Sequence, residues 1–246
     1  MRFLELKNVA KNFGPIDALA GIDLVVEVGS VVGLMGDNGA GKSTLVKLIA
    51  GNFPPSSGQL LIDGVPLSLA NPAEARQRGI EVVYQDLALC DNLTASANVF
   101  LARESVVGAG PLRFLQERRM HERAAALFAE LKSETRPRDR VRQMSGGQRQ
   151  AVAIARTRLA KARLIVMDEP TAAISVRQVA EVLDLIRQLR DQGLAIILIS
   201  HRMPDVFAVA DRIVVLRRGR KVADKPVSSS SPQEVTALIT GALDAA

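Results

Sequence analysis

Gly36-Asp37-Asn38-Gly39-Ala40-Gly41-Lys42-Ser43-Thr44 follows the apolar run Val31-Val32-Gly33-Leu34-Met35 and leads into Leu45-Val46-Lys47-Leu48-Ile49-Ala50. The order reads as strand, glycine loop and helix start. Glycines let the backbone turn its N–H groups inward, and a helix N-terminus adds positive potential at the same place, so the stretch suits a phosphate. Its spacing is G-x-x-x-x-G-K-[ST], in which Lys42 would reach the β and γ phosphates of a nucleotide and the Ser43 hydroxyl would ligand Mg²⁺. A glycine-rich turn that merely shares the spacing is the alternative, and the rest of the chain decides between them.

Composition sets the outer bounds. The chain has 246 residues, 48% of them hydrophobic and 24% charged, which is globular and long enough for one large domain or two lobes. The longest apolar run in a strand-like setting, Leu194 to Ile199, falls far short of the roughly 20 residues a membrane span needs. Met1-Arg2-Phe3-Leu4-Glu5-Leu6-Lys7 has no signal-peptide core, so a cytoplasmic protein is expected. Cys90 is the only cysteine, and His121 and His201 are the only histidines, which argues against an internal disulfide or a protein zinc site. The net charge is +6, but positive groups are interrupted, as in Arg136, Arg138, Arg140 and Arg142 spaced by Pro137, Asp139 and Val141. This reads as a solvated surface tolerant of nucleotide phosphates, with no nucleic-acid partner expected.

In chain order, Ile22, Leu24, Val26 and Val28 alternate with polar residues as a strand with one wet face, and Leu60 to Leu67 reads as a hairpin turning at Asp63-Gly64. Together they predict a small antiparallel sheet beside the glycine loop. Asn71-Pro72-Ala73-Glu74 starts a short helix ending at Gly79, and Ile80 to Tyr84 is a strand followed by Gln85. From Asp86 to about Ala160 the sequence is helix-forming, including Glu117 to Lys132, with a break at Val107-Gly108-Ala109-Gly110-Pro111. A helical lobe inserted into an α/β core is expected. Beyond it, Leu164 to Met167 and Leu194 to Ile199 are buried strands around a helix with Val179, Val182, Leu183, Ile186 and Leu189 on one face. Continuous apolar strands alternating with helices predict a parallel sheet covered on both sides. The tail holds a hairpin around Arg218-Gly219, a flexible joint at Ser228 to Ser231, and a capping box at Ser231 and Glu234 that opens a last helix.

Four polar sites then fall at the C-terminal ends of four apolar strands: the loop at Gly36, Gln85, Asp168 with Glu169, and His201. Ligands of open parallel sheets bind at that edge. Asp168 suits Mg²⁺ coordination with Ser43, Glu169 is placed to orient and deprotonate water, and His201 can donate to the γ-phosphate. Gln85 can contact both metal and water, and reads equally as an exposed loop amide. A further motif, Met144-Ser145-Gly146-Gly147-Gln148-Arg149-Gln150, opens an apolar helix. Ser145 and Gln148 form a capping box by spacing. Two glycines at a bare helix start favour a second phosphate contact.

The order GDNGAGKST, Gln85, MSGGQRQ, LIVMDEP and ISHRM resembles the ATP-binding cassette ATPases over nearly the whole chain. SGGQ between the glycine loop and the Asp-Glu pair separates that family from other P-loop ATPases. The resemblance implies a P-loop NTPase core with a parallel sheet, a flanking antiparallel β subdomain (1–85 and 161–246 with the core) and an inserted helical subdomain (86–160). It also implies ATP and Mg²⁺ as ligands, and a head-to-tail homodimer sandwiching two ATP molecules. Ser145, Gly146, Gly147 and Gln148 of one copy would then meet the γ-phosphate held by Lys42 of the other. Phe13, in Lys11-Asn12-Phe13-Gly14, matches the aromatic that stacks on adenine; core packing is its other reading.

Val83 to Leu89, Asn92-Leu93-Thr94 and Asn98 to Glu104 look like bacterial importers of ribose, xylose or fructose type. This implies transmembrane permease subunits, a periplasmic or extracellular substrate-binding protein, and a peripheral place on the cytoplasmic face of the membrane. Leu87, Leu89, Leu93 and Phe100 are the expected docking residues for the permease. Two departures stand out. Met144 replaces the usual Leu, a near-isosteric change, and Ser175 stands where many relatives carry an Asp that couples the two ATP sites. The rival readings are an ATP-switched module acting on nucleic acid or the ribosome, and an exporter subunit.

Overall fold

The computed structural model describes residues 1–84, 86–108, 112–172 and 174–243. The chain opens with β1 (Arg2–Phe13), β2 (Ile16–Glu27) and β3 (Val31–Met35), then α1 (Lys42–Ile49), β4 (Ser57–Ile62), β5 (Val65–Leu67), α2 (Pro72–Gln77) and β6 (Ile80–Val83). Next come α3 (Ala95–Val99), the short strands β7 (Val106–Val107) and β8 (Phe114–Leu115), α4 (Glu117–Glu130) and α5 (Gly146–Leu159). The last part holds β9 (Leu164–Asp168), α6 (Val176–Asp191), β10 (Ala195–Ile199), α7 (Met203–Val209), β11 (Arg212–Arg217), β12 (Arg220–Pro226) and α8 (Pro232–Thr240).

The central sheet has strand order β12-β11-β3-β10-β9-β6, parallel throughout except for the antiparallel edge strand β12. Its inner strands are apolar end to end because both faces are covered, and successive residues serve opposite cores. Val31, Met35, Ile165, Met167, Ile196 and Leu198 join α4, α5 and α6 on one side. Val32, Leu34, Leu164, Val166, Ile197 and Ile199 join α1 and the second sheet on the other. That second sheet, β2-β1-β4-β5, is antiparallel as expected, and its β4–β5 hairpin turns at Asp63-Gly64 with φ of 51° and 77°. Gly33 lets α7 reach the sheet, since a Cβ there would lie 2.4 Å from the Val206 side chain.

Several expectations change. The alternation beginning at Ile22 belongs to a strand that starts at Ile16, and Val28 lies beyond its end, 38% exposed. β1 carries no clear strand signal, because its apolar positions are irregular where bulges interrupt its pairing. The span from Asp86 is less helical than its composition: residues 86–94 are irregular, and the break near Val107 is flanked by the paired strands β7 and β8. Of the break itself, Ala109, Gly110 and Pro111 lie outside the described residues. Ser228 and Ser229 belong to a 3₁₀ turn, and Ser231 caps α8 by accepting from the Glu234 N–H. The box is half formed, because the Glu234 carboxylate pairs with Lys225 instead.

The irregular stretch after β6 is nevertheless tightly held. Asn98 is fully buried, accepts from the Cys90 N–H at 2.8 Å, and donates to the Cys90 and Thr94 carbonyls at 3.0 Å each. Arg156 of α5 donates to the Asn98 carbonyl at 3.1 Å and reaches the Ala88 carbonyl, while Arg103 ties β6 to α5 through Glu81 at 2.8 Å. Burial pushes the Arg156 guanidinium below its ordinary pKa. Asn98→Ala strands one N–H and two carbonyls in a buried place, so a loss of about 2–4 kcal/mol is expected, read as a lower urea midpoint with unchanged m.

Candidate functional site

β3, β10 and β9 lie side by side, with Ile199 opposite Leu34 on one flank and Asp168 on the other, and β6 adds beyond β9 with Val83 opposite Met167. The Gly36 loop, the Asp168-Glu169 pair and His201 therefore leave the sheet at one edge, as expected. Gln85 follows β6 and lies outside the described residues.

The loop is formed by close backbone approach. A Cβ on Gly36 (φ 152°) would lie 2.3 Å from the Leu216 carbonyl oxygen, and one on Gly41 (φ 104°) 2.8 Å from that of Ala18. Ala40 and Gly219 share a backbone bond of 3.0 Å, and Gly219 accepts from the Ala20 N–H at 2.7 Å, so β2 and the β11–β12 turn brace the loop from outside. The turn itself is legible in the sequence; its bracing role is not. Within the loop the Ala40 N–H donates to the Asp37 carbonyl, and the Asn38 N–H to the Asp37 side chain at 2.7 Å. Lys42 folds back so that its ammonium donates to the Gly36 and Asp37 carbonyls at 2.6 and 2.9 Å.

α1 has Gly41 at its N-cap, so no side-chain cap, and no acid in its first turn, where Lys42, Ser43 and Thr44 stand. Uncapped N–H groups, a helix dipole and an ammonium at one place fit a polyphosphate. Among the described residues no cluster of three or more His, Cys, Asp or Glu is able to hold a metal unaided. Mg²⁺ needs none, because it is bound through one or two carboxylates and the substrate's own phosphates. The Ser43 hydroxyl and the Asp168 carboxylate are oxygen donors of the type that would suit it. Burial, and then the Glu169 charge, push the Asp168 carboxyl above the usual carboxylate range, while Lys42 pulls it down. Burial and Asp168 likewise raise the phenol of Tyr84, which follows β6.

Glu169 sits in the left-handed region at φ 50°, a conformation that a side chain disfavours and that its surroundings must enforce. Its N–H donates to the Ile199 carbonyl at 2.9 Å, and its carbonyl accepts from the Ala172 N–H at 3.1 Å. The carboxylate is 15% exposed; Oε1 accepts from the His201 N–H at 3.0 Å and Oε2 lies 2.8 Å from His201 Nδ1. The His201 ring is 73% exposed, available to a ligand rather than packed away. A carboxylate of this kind, next to a histidine and the half-buried Asp168, is equipped to take a proton from water.

Phe13 ends β1 and is 46% exposed, which rules out the core-packing reading. Its ring meets Phe53 edge to face at 5.3 Å, and the Lys11 ammonium lies over both rings. Nothing in the sequence around Phe53 or Lys11 marks either one as a neighbour of Phe13.

Ser145 caps α5 with the full box: its Oγ accepts from the Gln148 N–H at 3.3 Å, and its own N–H donates to Gln148 Oε1 at 3.0 Å. The glycines also have a packing reason, since Cβ atoms on Gly146 and Gly147 would lie 2.6 Å from Ile174 Cγ2 and Glu181 Oε2. The helix start is therefore not bare, and the glycines alone no longer argue for a phosphate. Ser145, Gly147 and Gln148 open onto a groove of about 600 Å³ shared with α6 and the end of α4. Asp37 to Ala40 open onto a different one, with Arg218, Arg220 and Thr240. The two stretches thus line different grooves of one chain.

Ser175 caps α6 with its own box, accepting from the Gln178 N–H while its N–H donates to Gln178 Oε1 at 2.9 Å. Ser175→Ala is expected to cost about 1 kcal/mol and Ser175→Asp close to nothing, since both Ser and Asp cap well; thermal unfolding separates them. Of the residues expected to dock a permease, Phe100 is 4% exposed and belongs to the core, so it is removed from that face. Leu87 and Leu89 are half-buried against the same core. Tyr84 and Leu101 are the more exposed apolar side chains nearby, at 40% and 38%.

Comparison with known proteins agrees with this geometry. The family profile described as ABC transporter matches residues 19–172. A xylose/arabinose import ATP-binding protein of Sulfolobus acidocaldarius is 42% identical across 96% of this chain and 93% of its own length. A fructose import ATP-binding protein of Rhizobium meliloti is 40% identical across 97% and 94%. A ribose import ATP-binding protein of Yersinia pestis is 40% identical over 97% of this chain, which spans only 46% of that longer protein. Among solved structures, a nucleotide-free ATP-binding cassette from an ABC transporter superposes with a TM-score of 0.82 at 26% identity, over 98% of this chain and 96% of that one. A dimeric bacterial ABC transporter cassette gives 0.73 at 27% identity, over 91% and 98%. With a braced phosphate loop, a Glu169–His201 pair at the same sheet edge and relatives matched along nearly its whole length, this chain belongs to the ABC transporter family as an ATP-binding cassette.

Proposed function

We propose that the chain hydrolyses ATP to power a sugar importer, working as a head-to-tail dimer beneath a membrane permease. The observation that carries the reading is the common sheet edge shared by the Lys42 loop, Asp168, Glu169 and His201. Lys42 and the α1 N–H groups bind the β and γ phosphates, Ser43, Asp168 and Gln85 hold Mg²⁺, and Phe13 stacks on the adenine. Mg²⁺ supplies charge neutralisation between the phosphates. Glu169 accepts the proton of the attacking water, and His201 donates a hydrogen bond to the γ-phosphate. Ser145 to Gln148 of the second copy complete the site, in keeping with the separation of the two grooves within one chain.

Sugar import is favoured by the names of the xylose/arabinose, ribose and fructose relatives. On this reading residues 86–160 are the helical subdomain that meets the permease at the cytoplasmic face, and a periplasmic or extracellular binding protein delivers the sugar. No described helix is long and apolar enough to cross a membrane. The test is reconstitution in vesicles with a monosaccharide permease and its sugar-loaded binding protein. The expected result is ATPase stimulation and sugar uptake, with Leu89→Glu and Leu93→Glu lowering permease recovery. Stimulation by DNA or RNA and not by the permease would favour the rival switch module.

A further inference from the structure

Asp205 lies in α7, outside every motif used above, and is only 4% exposed. A carboxylate buried to that degree is costly unless it is paired and hydrogen-bonded. Both partners converge on one oxygen: the Thr171 hydroxyl donates to Oδ2 at 2.6 Å, and Arg202 Nε lies 3.3 Å from the same atom. Helix capping does not explain the arrangement. Asp205 is the third residue of α7, where a capping-box acid would accept from the N-cap N–H, yet that N–H, on Arg202, donates to Ser200 Oγ at 3.1 Å.

Its partners are informative by position. Thr171, itself 1% exposed, is two residues past Glu169, and Arg202 is next to His201. The two turns are thus joined twice. At the sheet edge Glu169 meets His201 directly, through the 3.0 Å and 2.8 Å contacts. Behind it, the short charge-assisted Thr171–Asp205 bond fixes the chain that leaves Glu169 to the helix that leaves His201. Glu169 is in a left-handed conformation that its neighbours must hold, and Thr171 lies inside the turn closed by the Ala172 N–H and Glu169 carbonyl.

We infer that Asp205 is a positioning residue for ATP hydrolysis, with Thr171 and Arg202 as its grips on the Glu169 and His201 turns. This rests on the reading of Glu169 as proton acceptor. The Gly36 loop is held separately, with the Lys42 ammonium bonded to the Gly36 and Asp37 carbonyls. Loosening the Asp205 network therefore shifts the water-activating group and leaves nucleotide binding in place.

The test is steady-state ATPase kinetics on the intact chain, with ATP affinity by fluorescent-analogue titration and Tm measured alongside. Thr171→Val is near-isosteric and removes only the hydroxyl; it should lower kcat on the order of 10- to 10²-fold with KM and ATP affinity unchanged. Thr171→Ser, which restores a hydroxyl, should restore kcat. Asp205→Asn, which keeps an acceptor but loses the charge, should fall between them. In a Glu169→Gln background, Thr171→Val should change the residual turnover no further, because both act through the same group. Wild-type kcat in Thr171→Val, with Glu169→Gln inactive, overturns the inference alone. A parallel fall in ATP affinity and Tm, with an additive loss in the Glu169→Gln background, makes the network merely structural and overturns it too. Full turnover in Glu169→Gln overturns the underlying reading of Glu169 instead.

Discussion

Replacing Glu169 by Gln is expected to reduce steady-state ATP hydrolysis by roughly 10²- to 10⁴-fold while leaving ATP binding intact. The change is isosteric. The amide oxygen still accepts from the His201 N–H, which now meets Oε1 at 3.0 Å, so the turn between β9 and α6 keeps its anchor. The ability to take a proton is lost, and the contact to His201 Nδ1 passes from a carboxylate oxygen to an amide nitrogen. The phosphate loop is built from other elements: its glycines press on Ala18 and Leu216, and Lys42 bonds to Gly36 and Asp37. ATP closes two cassettes on each other in the proposed cycle, and hydrolysis reopens them. A chain that binds but does not hydrolyse should therefore accumulate as an ATP-dependent dimer, seen by light scattering, where the wild type returns to monomer as ATP is consumed. Normal turnover in Glu169→Gln would remove Glu169 as the base.

Much of this site is legible in the amino-acid sequence. The motif stretches are strand ends, and strands such as Leu164–Asp168 and Ala195–Ile199 announce themselves by the apolar runs that a doubly covered parallel sheet produces. Knowing that the sheet is parallel puts all their C-terminal ends at one edge, so Asp168, Glu169 and His201 follow without tertiary information. What escapes depends on contacts that sequence spacing does not encode. The bond between Thr171 and Asp205 spans 34 positions, and Gly219 braces a loop whose nearest member, Ala40, is far away in sequence. β1 escapes for a different reason. Its bulged pairing with β2 and β4 breaks the period of two on which strand reading rests. The irregular stretch from Asp86 to Thr94 looks helical by composition, yet it is held by the Asn98 amide and the Arg156 guanidinium. Side-chain donors there replace the helical ladder, and nothing local predicts them.

The glycines of the second motif carry the sharper lesson. Gly146 and Gly147 read as room for a phosphate, but Ile174, just ahead of α6, and Glu181 of α6 fill that room. The surviving argument for a phosphate contact is positional. Ser145 and Gln148 open onto one groove and the Asp37–Ala40 loop onto another, so a shared site needs two copies of the chain. Arg156 and Arg149 add a mechanical point: α5, which begins at this motif, is bonded to the Ala88 and Asn98 carbonyls and paired with Asp91 at 3.3 Å. In the proposed cycle, a displacement of the motif helix on dimer closure would pass through these bonds to the stretch proposed to face the permease.

If the site is composite, two inactive variants should restore each other. Lys42→Ala removes the ammonium from the phosphate loop, and Gly147→Asp places a carboxylate beside Glu181 where the γ-phosphate of the other copy would approach. Each alone spoils both sites of a symmetric dimer, so each should fall to background. Mixed at one to one, about half of the dimers pair one variant with the other, and in these the loop of the Gly147→Asp copy faces the intact motif of the Lys42→Ala copy. One good site then stands beside one doubly broken site, so hydrolysis should return to at most about a quarter of the wild-type rate, rising with protein concentration as dimers form. Matching Tm values for both variants exclude misfolding as the cause of inactivity. Recovery near a quarter also means that one site turns over without its twin, the outcome expected if the helix cap Ser175 does not couple the two sites. No recovery, with mixed dimers demonstrated by differential tagging, would mean either that each chain builds its own site or that the two sites must fire together. Mixing wild type with a Lys42→Ala, Gly147→Asp double variant distinguishes these, because the resulting mixed dimers keep one intact site only where each chain builds its own.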